Sequence, residues 1–99
     1  MTIRGLGKIT PIQGDVIRLL GYRINRAGIT NDISAEERTQ IQQQALQNLR
    51  DATGKNFGLD AGKWHRYLSR WNVEYRHPYA FEAVKHFMKS ALADSKPPV

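Results

Sequence analysis

Residues 53–64, TGKNFGLDAGKW, admit two readings that lead to different folds. A Gly-Lys pair, a second glycine four residues on and an acidic residue before a helix describe a phosphate-binding loop. The same residues describe a helix that stops, turns and restarts. A nucleotide loop of the Walker type needs four residues between its first glycine and the Gly-Lys pair, then Ser or Thr, and it follows a strand. Here Asn56 follows Gly54-Lys55, and the residues before them have a helical pattern. The dinucleotide fingerprint needs a strand and a glycine spacing that are also missing. The stretch therefore reads as a corner. Gly54 ends one helix in a left-handed conformation that costs glycine nothing. Phe57 folds back onto the apolar end of that helix, and Gly58 permits a second reversal. Asp60 then accepts the free N–H groups of the next helix.

Working outward, the helix before the corner opens at Ser34-Ala35-Glu36-Glu37, a capping box whose carboxylates suit the positive end of the helix dipole. Its apolar stripe is thin: Ile41, Ala45, Leu46, Leu49 and Ala52. Gln40, Gln42, Gln43, Gln44, Gln47 and Asn48 make the rest uncharged and polar. Such a face lies against another polar surface without stranding a charge, or it faces solvent. After the corner, Trp64, Leu68, Trp71 and Tyr75 fall at spacings of four, three and four, a single face assigned to the core. Pro78 ends that helix and opens the next, whose stripe is Phe81, Val84, Phe87, Met88, Ala91 and Leu92.

Further upstream, Thr10-Pro11-Ile12-Gln13 has the capping-box form with proline at the first helical position, and Asp15 is an alternative start because Gly14 weakens the first turn. Ile12, Val16, Leu20 and Ile24 recur every four residues, Arg18, Tyr22 and Arg26 line another face, and Gly28 is placed to end the helix. No segment alternates with period two, so no strand is expected. The prediction is an all-α fold, a compact bundle of about four helices at about 11–27, 35–53, 61–76 and 78–93. Residues 1–99 form one helical domain, with an extended arm at 1–9 and a flexible tail at 95–99.

At 99 residues such a chain buries only about two-thirds of its unfolded surface. No apolar run approaches the roughly 18–20 residues that span a bilayer, and no secretory pattern opens the sequence, so an intracellular, cytoplasmic protein is expected. Cysteine is absent, which removes disulfides and thiol chemistry. The net charge of +6 is uneven. Residues 1–30 hold five basic and one acidic side chain, residues 31–53 two and four, residues 54–77 five and two, and residues 78–99 three and two. A basic excess favours nucleic acid, anionic lipid or acidic protein without choosing among them.

Chemistry is sparse. Glu82 and His86 lie one turn apart, but a metal needs three or four ligands, and His65 and His77 do not complete a set. Nothing organises a nucleophile and base from Ser34, Ser69 or Ser90. We expect no catalytic residues, no cofactor and no metal. The richest run is Lys63-Trp64-His65-Arg66-Tyr67-Leu68-Ser69-Arg70-Trp71, then Tyr75-Arg76-His77. Cations interleaved with rings suit unpaired nucleic acid, although helical geometry turns most of the rings inward. The candidate contacts for a polyanion or partner are Arg18, Arg26, Lys63, Arg66 and Arg70. Gly54, Phe57, Gly58, Asp60 and Trp64 are assigned to the structural corner. The loop of about seven residues between the first two helices is longer than a DNA-reading helix-turn-helix uses.

Leu46-Gln47-Asn48-Leu49, Thr53-Gly54-Lys55-Asn56-Phe57-Gly58, Asp60 and Trp64 together resemble a segment that closes many bacterial HEAT-type helical repeat proteins, with Ala61 where those usually carry proline. The resemblance covers roughly residues 46–71. It implies a helical module that works by offering surfaces to partners. The expected function is thus a small, basic, non-enzymatic protein acting through protein–protein contacts or as a homo-oligomer, an adaptor or structural component of a larger assembly. The alternative is a nucleic-acid-binding protein using the basic faces of the first and third helices.

Overall fold

The structure, a computed structural model, describes residues 2–3, 9–25, 28–77 and 80–95. Its first helix, α1 (Pro11–Leu19), opens as the sequence requires. Thr10 Oγ1 accepts the Gln13 N–H at 3.3 Å, and Gln13 Oε1 accepts the Thr10 N–H at 2.8 Å. The helix stops well short of residue 27. Gly21, at φ 96°, turns the chain and donates its N–H to the Arg18 carbonyl at 2.8 Å. A left-handed φ is open to glycine without steric penalty, so Gly21 does the work expected of Gly28.

Beyond that turn the chain is extended. β2 (Arg23–Asn25) and β3 (Gly28–Thr30) pair antiparallel with Ile24 opposite Ile29, and β1 (Thr2–Ile3) joins the far side of β3 with Ile3 opposite Ile29. The order is β1-β3-β2. This corrects the all-α expectation. The fold is mostly helical with a small three-stranded sheet, which takes up part of the 1–9 arm. The strands are two and three residues long, too short for alternation to register against a helical period. Ile24, spaced like a helical residue, belongs to the sheet.

α2 (Ala35–Thr53) has its predicted bounds. Ser34 Oγ accepts the Glu37 N–H at 3.1 Å, but the Glu37 carboxylate does not close the box; it pairs with Arg23 Nη1 at 3.1 Å and so ties α2 to β2. Ala45 and Leu49 are buried. Two of the polar residues face α1: Gln42 Nε2 donates to the Leu19 carbonyl at 3.2 Å, and Asn48 Nδ2 donates to Asp15 Oδ1 at 3.2 Å. Gln40, Gln43, Gln44 and Gln47 are exposed.

The corner is built much as its sequence dictates. Gly54 caps α2 at φ 71°, and its N–H reaches the Arg50 carbonyl. Asn56 Oδ1 accepts the Gly58 N–H at 2.9 Å, and Asp60 Oδ1 accepts the Lys63 N–H at 3.0 Å at the head of α3 (Ala61–Trp71). Trp64 Nε1 donates back to the Gly58 carbonyl at 2.8 Å. Phe57 meets Trp64 edge-on at 4.8 Å and Tyr67 at 5.3 Å, so it closes on the helix after the corner.

α3 ends at Trp71, five residues before its expected limit, because Asn72 is extended at φ −116° and ψ 113°. α4 (Phe81–Ser95) starts later than 78; Pro78 lies outside the described residues, as does the tail beyond Ser95. Tyr75 re-enters the core through the turn after α3, and Phe87 of α4 meets Tyr22 edge-on at 5.2 Å. Val16, Ile17, Leu49, Trp64, Leu68, Tyr75, Val84 and Met88 are the centre of one buried cluster. Among the described residues, no helix is long and apolar enough to cross a membrane.

Candidate partner surface

The end of α3 holds the feature that sequence reasoning missed. Trp71, assigned to the core with Trp64, Leu68 and Tyr75, is 71% exposed, and Val73 is 77% exposed. The other three residues of that face are buried. The helix ends before a neighbour can cover Trp71, and Tyr75 fills the core from the turn instead. Only knowledge of where α3 stops would have revealed this, since the spacing of Trp71 is that of a core residue.

The turn that presents this pair is held from several sides. Asn72 Oδ1 accepts the Tyr75 N–H at 2.8 Å, and the Arg76 and His77 N–H groups reach the Asn72 and Glu74 carbonyls. From α1, Gln13 Nε2 donates to the Tyr75 carbonyl at 2.8 Å, and Thr10 Oγ1 donates to the Glu74 carbonyl at 3.3 Å. From α3, His65 Nδ1 lies 2.6 Å from the Tyr75 hydroxyl. Burial pushes the Tyr75 hydroxyl well above its usual range and, aided by Arg66 and Lys85, holds the His65 imidazole below its own. Both groups are therefore held uncharged, and the hydrogen bond between them pins the turn.

The predicted cations differ in how they are engaged. Lys63, Arg66 and Arg70, spaced three and four apart, are exposed along one face of α3, and none has an ion-pair or hydrogen-bonded partner for its side chain among the described residues. Tyr67 and Trp71 follow Lys63 at successive intervals of four, so the indole borders the basic stripe. Arg18 is engaged instead by Asp15 at 3.5 Å, whose carboxyl is raised above its usual range by burial against the opposing effects of Asn48 and Arg18. Arg26 lies outside the described residues.

Elsewhere, Gln47, Arg50, Asp51, Gly54, Lys55 and Asn56 line a hollow of about 220 Å³. Gly54 and Lys55 of the opening stretch do border a concavity, but it lies at the negative end of the α2 dipole, the wrong end for an anion. Among the described residues, no three His, Asp or Glu side chains are grouped to hold a metal, and Glu82 pairs with Lys85 at 3.2 Å. Comparison with protein-family models, curated proteins and solved structures finds no match.

Proposed function

We propose that this is a non-enzymatic protein that acts through protein–protein contacts, as an adaptor or structural component of a larger assembly. The observation that supports it is the exposure of Trp71 and Val73 on a turn fixed by Gln13, Thr10, Asn72 and His65. Rigid aromatic side chains on an ordered backbone lose little entropy on docking and are favoured interface anchors. The resemblance of residues 46–71 to a closing segment of helical repeat proteins points the same way.

The nucleic-acid reading has its own support in Lys63, Arg66 and Arg70, which have no partner among the described residues, beside an exposed indole. One experiment separates the two. A photo-reactive phenylalanine analogue is placed at Trp71, and at Gln43 as an exposed control, and the chain is irradiated in the cells that express it. A discrete protein adduct from position 71 and none from 43 is expected. A nucleic-acid adduct, or no adduct, would overturn the protein-contact reading.

A further inference from the structure

We infer that the partner of this surface is an acidic protein segment carrying a large apolar side chain, laid along α3 so that its carboxylates meet Lys63, Arg66 and Arg70 and its apolar group covers Trp71 and Val73. The inference rests on the reading that Trp71 and Val73 meet a protein.

Charge complementarity selects the occupant. Among the described residues the three cations on α3 have no carboxylate partner, as is true also of Arg38, Arg50, Lys55, Arg76 and Lys89; what sets the stripe apart is three exposed cations in one row beside an exposed apolar pair. An unpaired basic row beside an exposed apolar pair suits a ligand that is acidic at one end and apolar at the other. A second copy docked through this same face brings the same basic row, so a symmetric pairing of the stripe does not supply the missing carboxylates. Nucleic acid would satisfy the cations and stack on Trp71, but it leaves Val73 facing a polar backbone. An apolar side chain covers both residues.

The dimensions set the order of the segment. From Lys63 to Arg70 the stripe is about 10 Å long at 1.5 Å per residue. An extended peptide advances about 3.3 Å per residue, so roughly three acidic positions track the stripe before the apolar position reaches the turn. The platform does not need to form on binding, because the hydrogen bonds to Tyr75 and Glu74 already fix it.

Emission from the intact chain reports on docking. Trp64 is wholly buried and Trp71 exposed, so a blue shift on titration comes from Trp71. The probes are a short peptide with an Asp/Glu run followed by Phe-Leu, the same peptide lacking Phe-Leu, a neutral peptide keeping Phe-Leu, and oligothymidylate of equal charge. Light scattering follows the oligomeric state. The acidic peptide with Phe-Leu should bind about tenfold more tightly than either truncated probe, and about tenfold more weakly to the Arg66→Glu/Arg70→Glu double variant. Val73→Ser should weaken it while leaving the melting curve unchanged. Equal binding of the neutral peptide would overturn the inference and leave the protein-contact reading standing, as would a stable dimer that shields Trp71. Tighter binding of oligothymidylate would overturn both. Absence of any emission change with the acidic peptide at millimolar concentration would overturn the inference.

Discussion

The buried amide of Gln13 donates to the carbonyl of Tyr75 at 2.8 Å across 62 positions of sequence. The other end of the same side chain closes the capping box on Thr10. One residue thus couples the start of α1 to the turn that presents Trp71 and Val73. Gln13→Ala removes the acceptor of the Thr10 N–H, one half of the capping box, and leaves the Tyr75 carbonyl without its buried donor. The expected loss is about 2–4 kcal/mol of unfolding free energy in urea, with amide exchange in residues 73–76 accelerating most. Unchanged exchange there would mean that the turn is held without α1.

Phe57 is half-buried between Trp64 and Tyr67. Phe57→Ala deletes both ring contacts at the corner and should cost about 2–4 kcal/mol. Leu59, two residues on and 48% exposed, is the matched control, and its alanine variant should lie within about 0.5 kcal/mol of the parent. Equal melting temperatures for the two variants would show that Phe57 does not hold the corner.

Gly21 and Gly54 both take left-handed conformations, but their surroundings differ. A Cβ at Gly21 would lie 2.8 Å from Arg38 Cδ, whereas one at Gly54 meets nothing within 4 Å. Gly54→Ala should therefore cost about 1–2 kcal/mol from backbone strain alone. Gly21→Ala should cost more, since it also displaces the Arg38 side chain, whose Nη2 donates to the Asn31 carbonyl at 2.9 Å. Thermal melts of the two variants give the comparison directly, and a larger loss at Gly54 would contradict it.

Much of this fold was legible because its helix starts are written in short-range chemistry. Thr10, Ser34 and Asp60 each cap where their sequence context says they should, and Gly54 and Gly58 turn the chain with positive φ. Ends fixed by tertiary contacts were not legible. α1 stops at Gly21, which packs under Arg38, and α3 stops at Asn72, whose side chain serves Tyr75. Each early stop changed the meaning of a residue beyond it: Ile24 moved from helix to sheet, and Trp71 from core to surface. The basic stripe of α3 followed from spacing alone. That Arg18 is already engaged did not follow, because its pairing depends on Asp15, which is buried and bonded to Asn48 of α2.

His65 and Asp15 give opposite responses to pH. His65 is held below its ordinary value of 6.5, chiefly by burial and further by Arg66 and Lys85. The unfolded chain therefore takes up a proton near pH 6.5 that the folded chain resists. Stability from this group is complete above 6.5 and falls as pH drops from there through the folded value. His65→Gln keeps a hydrogen-bonding partner for the Tyr75 hydroxyl but cannot titrate, so its melting temperature should lose less between pH 7 and pH 5 than that of the parent. Asp15 is raised above its ordinary 3.8, chiefly by burial, so its ionised form opposes folding at neutral pH. That penalty is relieved as pH falls through the folded value towards 3.8. Asp15→Asn keeps an oxygen for Asn48 without the charge, and it should melt above the parent at pH 7, with the gain shrinking as the medium is acidified. Melts of both variants at pH 7, 6, 5 and 4 provide the check. A parent-like pH slope for His65→Gln, or a lower melting point for Asp15→Asn at pH 7, would show that burial is not the dominant influence on that group.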